Sequence, residues 1–312
     1  SSGMVSIAHG NDGGGSVRAP ASFTGLVGLK PSRGRIPGSD GIGAEGALTR
    51  TIEDTAAALD FMTGPPTPPF HAPPSYVTTY REAIATPPGR LRIGVTTAMT
   101  FPSELTQDAV DAVGTATRLL EGLGHHVSEV PGLPVDPEWF TRTFHKLWAP
   151  SGTAGVRFVD ESALGVSNQE QLRRARAMNA SEYAAAMDEA GAVASAVTRG
   201  WGADFDVLVT PTNPFVAPRV GWLTERESED PWSAIERSAK IATFTAVCNL
   251  VGVPAISLPL HQTSDGLPLG VQLIGPPWRD DLLLALAAEL EAAEPWRDRT
   301  PTTPFRTTGD PS

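Results

Sequence analysis

The segment Val253-Pro-Ala-Ile-Ser-Leu-Pro-Leu260 constrains the fold more than any other. Successive residues of a strand point to opposite faces. In Ala255-Ile256-Ser257-Leu258 both faces are then small or apolar, so neither is suited to water. A strand of that kind belongs in a sheet covered on both sides. Asp206 to Thr210 reads as a second buried strand. Gly270 to Ile274 reads as a third, joined to Val253–Leu260 by a turn at Asp265-Gly266. Leu91 to Thr97 alternates as a strand does, Thr106 to Gly124 reads as a helix ended by glycine, and His126 to Val130 reads as a short strand. Strand, helix and strand at these lengths predict a βαβ unit, and hence a parallel pair. The expected class is α/β: a large mixed β-sheet covered by helices on both faces.

Other elements follow from local signals. Residues 1–50 are rich in glycine and show little helical periodicity. Thr51-Ile-Glu-Asp54 has the form of a capping box opening a helix, with the Asp54 carboxylate reaching back to the first amides and Gly64-Pro65 as the stop. The prolines of 64–90 predict an extended surface connection. Residues 136–148, 168–200, 232–251 and 282–293 read as helices. No internal repeat and no domain boundary is visible, so 1–312 is expected to be one domain. The polar, proline-rich stretch 295–312 is expected to be a flexible tail.

Composition excludes several functions. The 312 residues carry a net charge of −11, which repels nucleic acid and anionic membranes. No apolar run reaches membrane-spanning length. A lone cysteine, Cys248, rules out an internal disulfide and fits a reducing compartment, so a cytoplasmic location is expected. No zinc-binding spacing of His or Cys occurs, and neither metal nor cofactor is expected. The first residues carry no basic, apolar leader and no initiating methionine. The chain is therefore expected to be truncated at its N-terminal side.

The chemistry sits in His9-Gly-Asn-Asp-Gly-Gly-Gly-Ser-Val-Arg-Ala-Pro-Ala21. Three glycines before a serine let the backbone turn sharply and bring several amides close to a ligand. A hydroxyl beside clustered amides is what acyl transfer needs: a nucleophile and donors for the developing oxyanion. Asp12 and Arg18 flank the loop with opposite charges and would pin it if paired. A plain structural turn remains an alternative. A phosphate loop is disfavoured, because no lysine follows the glycines.

The stretch Asp12-Gly-Gly-Gly-Ser-Val-Arg-Ala-Pro-Ala21, followed by Gly25-Leu-Val-Gly-Leu-Lys-Pro-Ser-Arg-Gly34, resembles the end of the signature of the amidase signature family. The resemblance continues through 46–54, 206–212, 253–259 and 266–274. It implies that Ser16 is an acylated nucleophile. It also implies an oxyanion hole made by the amides of Gly13, Gly14, Gly15 and Ser16. Its base would be a lysine acting through a second serine in a cis peptide, and both would precede the nucleophile by more residues than this chain has.

Three lysines are present. Lys30 lies in a segment that resembles a structural element of the family, and Lys146 and Lys240 read as surface charges. His9 with Asp12 and Ser16 leaves a Ser-His-Asp relay open, though a loop-supporting His9 is favoured. His125-His126 read as a surface corner, Cys248 as core. Trp139, Trp148, Trp201, Trp222 and Trp232 line a pocket or fill the core. The leading expectation is an amidase hydrolysing a small-molecule carboxylic amide, with a homodimer left open. The amidase subunit of a tRNA-dependent amidotransferase and a non-catalytic fragment are the alternatives.

Overall fold

A computed structural model describes residues 1–37, 41–63, 74, 78–151, 153 and 156–301. Eight strands form one sheet: β1 (Ile7–Asp12), β2 (Val27–Lys30), β3 (Ala44–Thr49), β4 (Arg92–Val95), β5 (His126–Glu129), β6 (Val207–Pro211), β7 (Ala255–Gln262) and β8 (Pro268–Ile274). Their order across the sheet is β1-β3-β2-β7-β8-β6-β4-β5. The pairs β4·β5 and β4·β6 are parallel and the others antiparallel, so the sheet is mixed, as expected.

The apolar strands divide their side chains between two cores. Val207 and Val209 of β6, Ile256 and Leu258 of β7, and Val271 and Leu273 of β8 join one core, under the helices Ile52–Thr63, Gln107–Gly122 and Asp280–Ala293. Leu208, Ala255 and Ile274 point the other way, into a core with the helices Pro137–Trp148, Ala180–Gly200 and Ala246–Val251. Both faces of the sheet are therefore covered. The second face also carries polar groups, Thr210, Ser257 and Gln272, all buried. The site is built on that face.

The structure corrects several expectations. The glycine-rich first 50 residues hold three strands and a short helix, Arg18–Thr24. That helix lies so close to the sheet that a Cβ on Gly28 would stand 2.5 Å from Ala21 Cβ. Residues 168–200 form two helices, Val166–Ala177 and Ala180–Gly200, the second capped by Asn179, whose side chain accepts from the Glu182 amide. Residues 232–251 are likewise broken, into Ser233–Ile241 and Ala246–Val251.

Thr51 caps its helix as predicted, its Oγ1 accepting from the Asp54 amide at 3.1 Å. The Asp54 carboxylate, however, accepts from the Thr51 hydroxyl and not from its amide. Gly64-Pro65 and most of the proline run lie outside the described residues, as do 302–312.

His125 is no surface corner. It is buried, its Nδ1 accepts from the Leu91 amide, and its Nε2 lies 3.3 Å from Glu289. The start of the expected tail is anchored too. Trp296 is buried and its Nε1 donates to the Arg50 carbonyl at 3.1 Å. Trp296→Ala is expected to destabilise the fold by about 3–5 kcal/mol, through lost burial and the cavity left behind. A urea titration followed by circular dichroism measures it, and an unchanged midpoint would show that the segment is dispensable.

Candidate active site

Strand β1 ends at Asp12, and the chain then turns through Gly13–Val17 into the helix Arg18–Thr24. Asp12 organises this turn. One of its carboxylate oxygens accepts from the Gly15 amide at 2.7 Å, and the other from the amides of Val17 (3.2 Å) and Arg18 (3.4 Å). A short polar side chain thus satisfies amides that the turn leaves without backbone partners. Gly15 has φ +129°, a conformation that suits only glycine. A Cβ there would stand 2.2 Å from Thr245 Oγ1. Thr245 in turn donates its hydroxyl to the Gly14 carbonyl at 2.6 Å. The turn leaves Ser16 exposed. The amides of Gly13, Gly14 and Ser16 make no hydrogen bond to another described residue. The Gly15 amide, expected among the oxyanion donors, is instead engaged by Asp12.

The pairing of Asp12 with Arg18 is present and fully buried, Nη2 to Oδ1 being 2.8 Å and Nε to Oδ2 3.0 Å. Arg18 also donates to the Thr245 carbonyl (2.9 Å), Asn249 Oδ1 (2.6 Å) and Gln272 Oε1 (2.7 Å). Asn249 donates to the backbone carbonyls of Asp12 and Ile42. Gln272 donates to Thr210 Oγ1 and the Phe244 carbonyl. Each member is satisfied, as a buried polar network must be. Burial on its own would raise the Asp12 pKa. The Arg18 charge and hydrogen bonds outweigh burial and hold it down to about 2. Sequence reasoning did not single out Thr245, Asn249 or Gln272. The available signal was a lone polar side chain in an apolar element, as in Leu269-Gly-Val-Gln-Leu-Ile274.

A pocket of about 380 Å³ opens at Gly14, Gly15 and Ser16. Its walls include Phe23, Phe101, Phe144, Trp148, Ile235 and Ile241. Of the five tryptophans singled out, Trp148 lines it and Trp232 packs edge-on behind Trp148. His145, which no local pattern marks, is also in the wall. Burial and the nearby Arg174 charge hold its imidazole down to about 4.

The remaining candidates fall elsewhere. His9 is largely exposed on β1, and its Nε2 pairs with Glu45 at 2.8 Å. Asp12 is committed to its amides and Arg18, so a His9–Asp12–Ser16 relay is not assembled. Lys30 is buried, donates to the Pro31 carbonyl at 2.7 Å, and is not among the residues lining the pocket. Burial and the Arg18 charge lower its pKa to about 7. Lys146 and Lys240 are exposed. Cys248 is buried, and burial pushes its thiol pKa up. Among the described residues, no cluster of His, Cys, Asp or Glu could hold a metal ion, and no helix is long and apolar enough to cross a membrane.

A family model described as Amidase matches residues 1–284. The 6-aminohexanoate-cyclic-dimer hydrolase of Pseudomonas sp. (strain NK87) is 35% identical over 317 residues, covering 95% of this chain and 64% of that protein. The putative amidase AmiC of Mycobacterium bovis is 37% identical over 321 residues, covering 94% and 63%. A solved structure of 6-aminohexanoate cyclic dimer hydrolase with substrate superposes with a TM-score of 0.83 at 33% identity, covering 95% of this chain and 66% of that one. The chain thus spans a little under two thirds of the length of these relatives.

The Asp12–Arg18 pair has a pH signature. The folded-state pKa of Asp12 lies below its unfolded value of 3.8, so its contribution is present above about pH 4 and is lost as pH falls towards about 2. Stability should therefore drop by roughly 2 kcal/mol across that window. Asp12→Asn should remove this part of the acid limb in urea titrations at stepped pH. Arg18→Met leaves a buried carboxylate unpaired and should cost about 3–5 kcal/mol at pH 7.

Proposed function

The chain belongs to the amidase family, that of the amidase signature enzymes, and on that premise we propose that it hydrolyses a carboxylic amide through an acyl-enzyme on Ser16. One observation carries the reading. An exposed serine hydroxyl stands at an apolar pocket, on a turn whose Gly13, Gly14 and Ser16 amides have no partner among the described residues.

The chemistry follows from those groups. Ser16 Oγ attacks the amide carbonyl carbon while its proton passes to a base. The carbonyl oxygen becomes an oxyanion and accepts hydrogen bonds from the partnerless amides. Such donors are worth roughly 3–4 kcal/mol each when aimed at the transition-state charge. Collapse breaks the carbon–nitrogen bond, and the leaving nitrogen takes a proton and departs as ammonia or an amine. Water then attacks the ester on Ser16, releases the carboxylic acid and restores the hydroxyl. Gly15 keeps the loop in register through Asp12, and the rigid network behind it spares reorganisation during the reaction.

None of the three lysines is among the described residues lining the pocket. The family pattern assigns the proton to a lysine working through a bridging serine. Such a lysine must be held neutral by burial to accept it.

Ser16→Ala tests the proposal. On the full chain, reaction with a small fluorophosphonate should modify Ser16 and stop turnover of simple amides. Ser16→Ala should lose the label and lower kcat by roughly 10³-fold or more. Hydrolysis retained in Ser16→Ala sinks the assignment.

A further inference from the structure

The pocket beside Ser16 is unusual in what it lacks. Among the described residues, no Asp, Glu, Lys or Arg lines it. Its polar side-chain groups beyond Ser16 are the His145 imidazole, the Trp148 indole N–H and the Ser238 hydroxyl, which donates to the Ala234 carbonyl of its own helix at 2.8 Å. A carboxylate or ammonium entering such a pocket would give up water and meet no charged side chain among the described residues of its wall. Its volume lies within the range of about 300–1,000 Å³ common to small-molecule sites.

His145 is the exception in the wall. Its ring stacks on Phe101 (centroids 6.0 Å apart, planes 24° apart) and meets Trp232 edge-on at 5.6 Å. Two aromatic neighbours thus hold it in place. Its ring nitrogens make no hydrogen bond to another described residue. Arg174 stands behind it, 3.9 Å over the Trp232 ring and paired with Glu170 at 2.8 Å. The depressed pKa keeps the imidazole uncharged at neutral pH, so it offers one donor and one acceptor.

Resting on the Ser16 acyl-enzyme reading, we propose that this site selects uncharged amides with a bulky apolar body, and that His145 determines specificity by hydrogen-bonding a neutral polar group on that body. An aryl or branched alkyl amide bearing a hydroxyl or a second amide fits this description. Apolar bulk fills the aromatic wall, and affinity should grow about fourfold per buried methylene until the pocket is full. His145 completes the match by pairing a group that would otherwise be desolvated alone.

Binding measured by calorimetry on the full-length Ser16→Ala chain tests this without turnover. The probes are phenylacetamide, its 4-hydroxy derivative, and its 4-carboxy and 4-aminomethyl derivatives. The hydroxy probe should bind more tightly than phenylacetamide, and both charged probes at least about tenfold more weakly than the hydroxy probe. His145→Phe should abolish the gain from the hydroxyl while keeping phenylacetamide binding, and His145→Gln should restore part of it. Charged probes binding as well as neutral ones, a hydroxyl gain that survives His145→Phe, or no binding of any probe would each overturn the proposal. If the probes bind as described but wild-type protein neither turns over amides nor labels at Ser16, the acyl-enzyme reading fails while the pocket's selectivity stands.

Discussion

The buried pair of Asp12 and Arg18 sits at the junction of four parts of the chain: the end of β1, the break before Ala246–Val251, that helix itself and β8. Removing two charges from water costs several kcal/mol each, and the pair alone does not offset it. What makes the arrangement tenable is completeness. Asp12 accepts from three amides as well as Arg18, and Arg18 finds a carbonyl and two side-chain oxygens beyond Asp12. Such a network adds little net stability but strongly disfavours any other conformation of the turn, since any slip would leave a buried charge unpaired. The Gly15 conformation, open to few residues, is held by this threat and by Thr245 filling the space where a side chain would go.

The same logic explains the broken helix. A continuous helix across 232–251 would have its residues 242–245 hydrogen-bonded within itself. The break turns the Thr245 carbonyl towards Arg18 and its hydroxyl towards Gly14. The Thr243 carbonyl accepts from the Thr100 amide, and its hydroxyl bonds the backbone of Phe101, which stands in the pocket wall. One irregularity therefore ties the Gly13–Val17 turn to the pocket.

Much of this was legible in the residues, and the gaps have physical causes. The strands β6, β7 and β8 and the βαβ unit carry their own apolar period, because each buries side chains on defined faces. Strands β1 and β3 carry little of it, since runs such as Gly41-Ile-Gly-Ala-Glu-Gly46 join the sheet through backbone ladders and close approach, while β2 is too short for the alternation of its buried Val27 and Leu29 to stand out. The helix break was hidden because local apolar spacing is continuous through it, and only distant partners decide where it falls. The turn itself was readable: Asp12, the glycines, Ser16 and Arg18 lie within seven residues. The groups that complete it, Thr245, Asn249 and Gln272, lie more than 200 residues away. His145 has no local mark at all; what sets it apart is the set of rings around it.

The site then joins two opposite environments. Behind the turn lie Arg18 and Lys30, with Arg33 also close enough to lower the Lys30 pKa, around the buried Asp12 carboxylate. The lowered Lys30 pKa, about 7, records the mutual repulsion with Arg18 on top of burial. In front lies a pocket with no charged side chain among its described lining residues. Coulomb interactions weaken in proportion to the effective dielectric, and an apolar, water-poor pocket weakens them least. Under the acyl-enzyme reading, negative charge develops on the substrate oxygen at this boundary, where partnerless amides and the positive side of the network both favour it. A charged group on the substrate body would invite water into the pocket and screen that effect. Under that reading, selection for uncharged substrates and stabilisation of the oxyanion would both follow from one feature, the absence of charged side chains among the described residues lining the pocket in front of the Gly13–Ser16 turn.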